Sequence, residues 1–121
     1  MNRPRDTPFG TYILGGDDGH TPVPVDWETF TAHAQLHATN AAVGPAADPW
    51  RVALTTFVGA EVSTMFLGIG HRDRLFETMI FSKRFRRLDR WQARTGTWKE
   101  AEAMHAYAVD LVREQLSHAP S

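Results

Sequence analysis

Two side chains of this sequence are placed to do acid–base chemistry on each other. In Leu75-Phe-Glu-Thr-Met-Ile-Phe81 the carboxylate of Glu77 shares one strand face with Leu75, Met79 and Phe81. Near the C-terminus Trp98, Ala101, His105, Ala108 and Val112 recur at alternating intervals of three and four, which sets His105 on the apolar stripe of a helix. Where that stripe meets that strand face, His105 and Glu77 are predicted to touch. A carboxylate beside a buried imidazole raises the proton affinity of the imidazole. Such a pair serves as a general base, or simply satisfies two polar groups inside a core. His71, in Gly68-Ile-Gly-His-Arg-Asp-Arg74, completes a candidate catalytic set of His71, Glu77 and His105 in a pocket between sheet and helix.

The remaining histidines offer less. His20 and His71 both follow glycine, with Asp17, Asp18 and Asp73 close by. Imidazole and carboxylate are ligand types for Zn or Mn, but the spacing of a metal site is missing, and turn residues of these types commonly bond their own backbone. His33 and His37 stand at i and i+4, the geometry for two ligands on one helix face, without a third. An exposed polar stripe is the expectation there. No metal and no cofactor is expected, and no phosphate-binding glycine loop or nucleophile elbow occurs.

Charge points elsewhere. Lys83, Arg84, Arg86, Arg87, Arg90 and Arg94 fall within twelve residues, with Asp89 the only acid among them. Set these aside and seven bases face thirteen acids, a balance of −6 in a chain whose formal net charge is −1. A local basic patch on an otherwise acidic chain suits an anionic contact. Phe85 and Trp91 are interleaved with the cations, as phosphate contacts plus stacking aromatics would require. The predicted partner-binding set is Lys83, Arg84, Phe85, Arg86, Arg87, Arg90, Trp91 and Arg94. The competing reading is a solvated loop that pairs with the chain's own acids.

The elements that must position these groups are legible in outline. Thr11-Tyr-Ile-Leu14 reads as a strand, and Gly15-Gly-Asp-Asp-Gly19 as a turn. Thr21-Pro-Val-Pro-Val25 reads as an edge strand or an extended segment, because proline donates nothing to a ladder. Asp26 is a good N-cap for a helix whose buried face is predicted to be Trp27, Phe30, Ala34 and Ala38. Arg51–Val58, Glu61–Leu67 and Leu75–Phe81 read as an antiparallel meander. Residues 83–94 read as irregular or a short helix. Thr97-Trp-Lys-Glu100 is a capping box opening the last helix. The order β-β-α-β-β-β-α predicts an α+β fold: an antiparallel sheet of about four or five strands with two helices packed on one face.

One domain is expected for 121 residues, 42% of them apolar. Residues 1–10 read as a flexible N-terminal arm and residues 11–117 as the single domain. Cysteine is absent, which removes disulfides and thiolate chemistry and suits a reducing cytoplasm. The start of the chain lacks the apolar region of a signal peptide, and no apolar run approaches the ~18 residues of a membrane span. A soluble protein of a host cytoplasm, with no membrane partner, is expected.

Several motifs together resemble a family of small uncharacterised phage and prophage proteins. They are Gly-His-Thr-Pro-Val-Pro-Val-Asp (Gly19 to Asp26), Val62-Ser-Thr-Met-Phe-Leu-Gly68, His71, Leu75-Phe-Glu-Thr-Met-Ile-Phe81 and Thr97-Trp-Lys-Glu-Ala-Glu-Ala-Met-His105. The resemblance spans Tyr12 to Arg113. Two departures stand out. The stretch between Phe81 and Thr97 is strongly basic here, where the family is typically Gly-rich and less basic, and the His33/His37 pair lies outside the shared pattern. The resemblance implies a phage-related origin and no established mechanism.

The combined expectation is a non-enzymatic binding protein. It would engage a host or phage macromolecule, protein or nucleic acid, that carries an anionic surface, through the segment from Lys83 to Arg94. Host defence, such as a CRISPR effector, is a candidate process by analogy. The alternative is a small enzyme or nucleotide-binding protein using His71, Glu77 and His105.

Overall fold

Alternation of apolar and polar residues builds two antiparallel sheets rather than one. In the computed structural model, which describes residues 9–44 and 47–118, the chain forms β1 (Phe9–Gly15), β2 (Thr21–Val25), α1 (Trp27–Val43), β3 (Arg51–Phe57), β4 (Ala60–Phe66), β5 (Ile69–His71), a 3-10 turn at Arg72–Arg74, β6 (Phe76–Ser82), β7 (Gln92–Thr95) and α2 (Trp98–His118). The fold is α+β. One sheet has the order β2-β1-β5 and the other β3-β4-β6-β7. β1 begins at Phe9, inside the stretch expected to be a flexible arm, and α2 reaches His118. Residues 1–8 of the expected arm lie outside the described residues.

Two departures from the sequence reading concern strands. The linker between β4 and β6 is not only a turn: Ile69–His71 crosses to the other sheet and pairs with Phe9–Thr11. The end of the basic stretch, expected to be irregular or helical, forms β7 and pairs Gln92–Thr95 with Phe76–Met79. The β1–β2 hairpin is as expected, with the proline-bearing β2 at the sheet edge.

Both helices start as their capping residues dictate. The Asp26 side chain accepts from the Thr29 amide at 2.8 Å. Thr97 Oγ1 accepts from the Glu100 amide at 3.1 Å, and the Glu100 carboxylate accepts from the Thr97 amide at 3.2 Å. α2 lies across the four-stranded sheet and α1 against β1. On α1 the inward residues are Phe30, Ala34 and His37; Trp27 and Ala38, expected on that face, are exposed.

The inner face of the large sheet is fixed by register. β4 buries Ala60, Val62, Thr64 and Phe66, while β6 buries Phe76, Thr78, Ile80 and Ser82. Val62 and Ile80 pack on Ala108, Val109 and Val112 of α2. At the other end Phe66 and Phe76 join Tyr12, Phe30, Trp50, Leu75 and Ala101 in a second cluster. Gly68 closes that cluster. Its φ is +77°, and a Cβ there would lie 2.7 Å from the Phe30 ring and 3.1 Å from Trp50.

Gly68→Ala is therefore expected to combine left-handed strain with overpacking and to lower stability by about 2–4 kcal/mol. Gly19→Ala, at φ +72° with open space around it, carries only the strain and is expected to lose about 1 kcal/mol. Urea denaturation of the two variants checks the difference.

Candidate functional site

His105 is a buried imidazole, and its partners are hydroxyls. Nδ1 stands 2.8 Å from Thr64 Oγ1 and Nε2 stands 2.9 Å from Thr55 Oγ1. Thr64 Oγ1 is in turn 2.8 Å from Thr78 Oγ1. A neutral imidazole has one donor and one acceptor, so the chain Thr55–His105–Thr64–Thr78 can run in one direction without leaving a group unmade. Burial, followed by the nearby Arg51 guanidinium, holds the imidazole pKa below its ordinary value.

This overturns the predicted His105–Glu77 pair. Side chains on β6 alternate, so Thr78 faces α2 and Glu77 the other side of the sheet. There Glu77 meets its cross-strand partner Arg94, whose Nε and Nη2 donate to Oε2 at 3.3 and 3.1 Å. His71 belongs to neither group. It lies on β5 edge-to-face with Phe9, ring centroids 5.2 Å apart, beside a hollow it shares with Arg94. His71, Glu77 and His105 do not converge on a common cavity among the described residues.

The other histidines are separated as well. The His20 ring stacks on Trp98 at 3.7 Å, joining the first hairpin to α2. His33 bonds the Thr29 carbonyl of its own helix at 3.0 Å. His37, expected to be exposed beside it, instead turns inward: it contacts the buried Asp48 carboxylate at 2.5 Å and stacks on Trp50. The Asp48 carboxylate also accepts from the Trp50 amide at 3.0 Å. Among the described residues no three metal-binding side chains cluster.

The basic segment is an ordered loop. Ser82 Oγ accepts from the Phe85 amide at 2.7 Å and donates to the Gly59 carbonyl at 3.2 Å. Asp89 accepts from the Ser82 amide at 2.9 Å. Arg90 sits at φ +66°, a left-handed position that lets its amide reach the Ile80 carbonyl at 2.8 Å and start the β7 ladder. Phe85, Leu88 and Trp91 are partly buried and pack against the cluster of Val109 and Val112, so Phe85 and Trp91, expected as stacking aromatics, are held against the core. Lys83, Arg84, Arg86, Arg87 and Arg90 are exposed, the Arg84 guanidinium lying over the Phe85 ring at 5.1 Å from its centroid. Among the described residues no carboxylate comes within ion-pair distance of them; only Arg94 of the predicted set has an acid.

An open groove of about 570 Å³ runs beside these cations, bordered by Met79, Phe81, Lys83, Arg90, Glu61 and Phe57. Phe81, on the face of the sheet away from α2, is 44% exposed. Its place on the Glu77 face was readable from alternation; that this face lies away from α2 was not. Comparison with family models, with curated proteins and with solved structures returns no match to this chain.

A histidine whose folded pKa is depressed takes up its proton more readily when unfolded. Stability is then present above about pH 6.5 and is lost as pH falls from there through the folded-state value, by up to about 1.4 kcal/mol per pH unit. Wild type is expected to weaken between about pH 7.5 and 5.5 more than His105→Gln, whose amide cannot titrate. Urea midpoints across that range measure this. At neutral pH His105→Ala, which orphans the buried hydroxyls, is expected to cost about 1–3 kcal/mol.

Proposed function

We propose that this chain is a non-enzymatic binding module of phage-related origin that holds an acidic macromolecule against the loop from Lys83 to Arg90. The observation that carries the reading is the set of five exposed cations on a pinned loop, with no ion-pair partner among the described residues. Charges left unpaired on a fixed scaffold are organised for an external anion and steer its approach.

An acidic protein surface is favoured over a polynucleotide. Phe85 and Trp91 are partly buried against the core, so the two aromatics of the segment offer little open face for stacking on bases. The apolar groove at Met79 and Phe81 suits a side-chain anchor at the centre of a protein interface, and Glu61 on its border repels a phosphate chain. With the resemblance to phage proteins, a host process is the setting, and antiviral defence, with CRISPR effectors as one class of target, follows by analogy. The catalytic reading of His71, Glu77 and His105 gains no support, because the three lie apart.

The test compares capture from host lysate, with and without nuclease, by wild type and by the Arg84→Glu, Arg86→Glu, Arg87→Glu triple variant. These side chains are exposed, so the variant is expected to keep its circular dichroism spectrum. The expected result is a nuclease-resistant partner that is lost in the variant and elutes from wild type with added salt. A partner held equally by both proteins contradicts the reading. A partner released by nuclease, with affinity falling roughly 0.7–0.9 logarithmic units per phosphate contact per decade of salt, replaces the protein with a nucleic acid.

A further inference from the structure

At the seam between the two sheets a second set of cations faces a hollow. It has a volume of about 350 Å³, near the small end of ligand pockets, and is bordered by Phe9, Gly70, His71, Arg74, Gln92 and Arg94. The side chains come from four separate pieces of chain: β1, β5, the 3-10 turn and β7. Every charged side chain on its wall is basic or an imidazole.

Arg94 is already oriented. Glu77 accepts from its Nε and Nη2, which fixes the plane of the guanidinium and leaves Nη1 with no bond among the described residues. Arg74 and the Gln92 amide make no hydrogen bond or ion pair among the described residues either. A guanidinium fork presents its donors in a plane that matches carboxylate and phosphate oxygens, and one held in advance loses little freedom on binding. One wall is different in kind. The Phe9 ring is 67% exposed and stands edge-on to His71, so an apolar surface adjoins the donors.

We infer that this hollow is a binding site for a small aromatic oxyanion, a phosphate or carboxylate carried on a ring. Arg74, Gln92 and Nη1 of Arg94 receive the oxygens, and Phe9 covers the ring. Glu77 is a positioning residue: it aims Arg94 and makes no contact with the ligand. The site is separate from the loop of Lys83 to Arg90, and its ligand need not be part of the macromolecule held there.

Isothermal titration of the full chain with phenyl phosphate, benzoate and benzyl alcohol tests the site. The two anions are expected to bind wild type and the neutral alcohol is not. Arg74→Ala, an exposed position that leaves the fold intact, is expected to weaken anion binding at least tenfold, and Gln92→Ala less. Glu77→Gln is expected to weaken it while the stacking wall stays, seen as an unchanged Phe9 signal in NMR spectra. Tighter phenyl phosphate marks a phosphate site and tighter benzoate a carboxylate site. The Arg84→Glu, Arg86→Glu, Arg87→Glu variant should bind both anions as wild type does, whatever happens to its macromolecular partner. Anion binding that survives Arg74→Ala unchanged, that is lost in the triple loop variant, or that is absent from wild type overturns the inference.

Discussion

A buried imidazole must find both a donor and an acceptor, and His105 finds them on two different strands. Thr55 of β3 and Thr64 of β4 take its two nitrogens, and Thr64 passes the chain on to Thr78 of β6. In a dry interface an unmade bond costs far more than a made one returns, so the arrangement rejects alternatives. A one-residue slip of β4 against β6 would turn Thr64 or Thr78 to the opposite face and strand the ring. The irregularity between Arg51 and Ala53 belongs to the same constraint. The extra residue shifts the phase of β3, so that Arg51 reaches Ser63 on the outer face at 2.7 Å while Thr55 still points at the helix.

Once the inner face is settled, the outer one follows. Glu77, Met79 and Phe81 must face away from α2, as must Gln92 and Arg94 opposite them. The loop joining β6 and β7 is then held from three sides: Ser82 and Asp89 within it, the Gly59 carbonyl beside it, and Phe85, Leu88 and Trp91 beneath it. Its acid is used internally and its bases are left outward. The same segment thus supplies core, cap and charged surface, which is how a short loop carries so many like charges without fraying.

The helices were legible because their signals are local. Asp26, Thr97 and Glu100 cap where their types and spacing require, and the stripe that placed His105 inside α2 holds, since Ala101, Ala108 and Val112 are buried with it. Its partners were not legible. Threonines on three strands read as ordinary β-branched residues, whereas Glu77 draws attention as a charge. Which side of β6 meets a helix is a long-range fact that alternation alone leaves open. β5 was hidden by its length of three residues, one of them Gly70. β7 was hidden by its four residues, Gln92 to Thr95, which follow directly on the run of cations and include Arg94, whose long stem lies along a strand as readily as in a loop. The basic patch itself needed only the sequence; its order, and the packing of Phe85 and Trp91 against the core, needed the fold.

The tautomeric state of His105 tests the central constraint most directly. Long-range nitrogen–proton NMR correlations on the ¹⁵N-labelled chain distinguish the two neutral forms from the imidazolium. A ring locked between Thr55 and Thr64 is expected to show one neutral tautomer that persists below the ordinary histidine midpoint of about pH 6.5. A ring that averages between tautomers and titrates at that midpoint would contradict the account, because it would place His105 in water rather than at the centre of the sheet–helix interface.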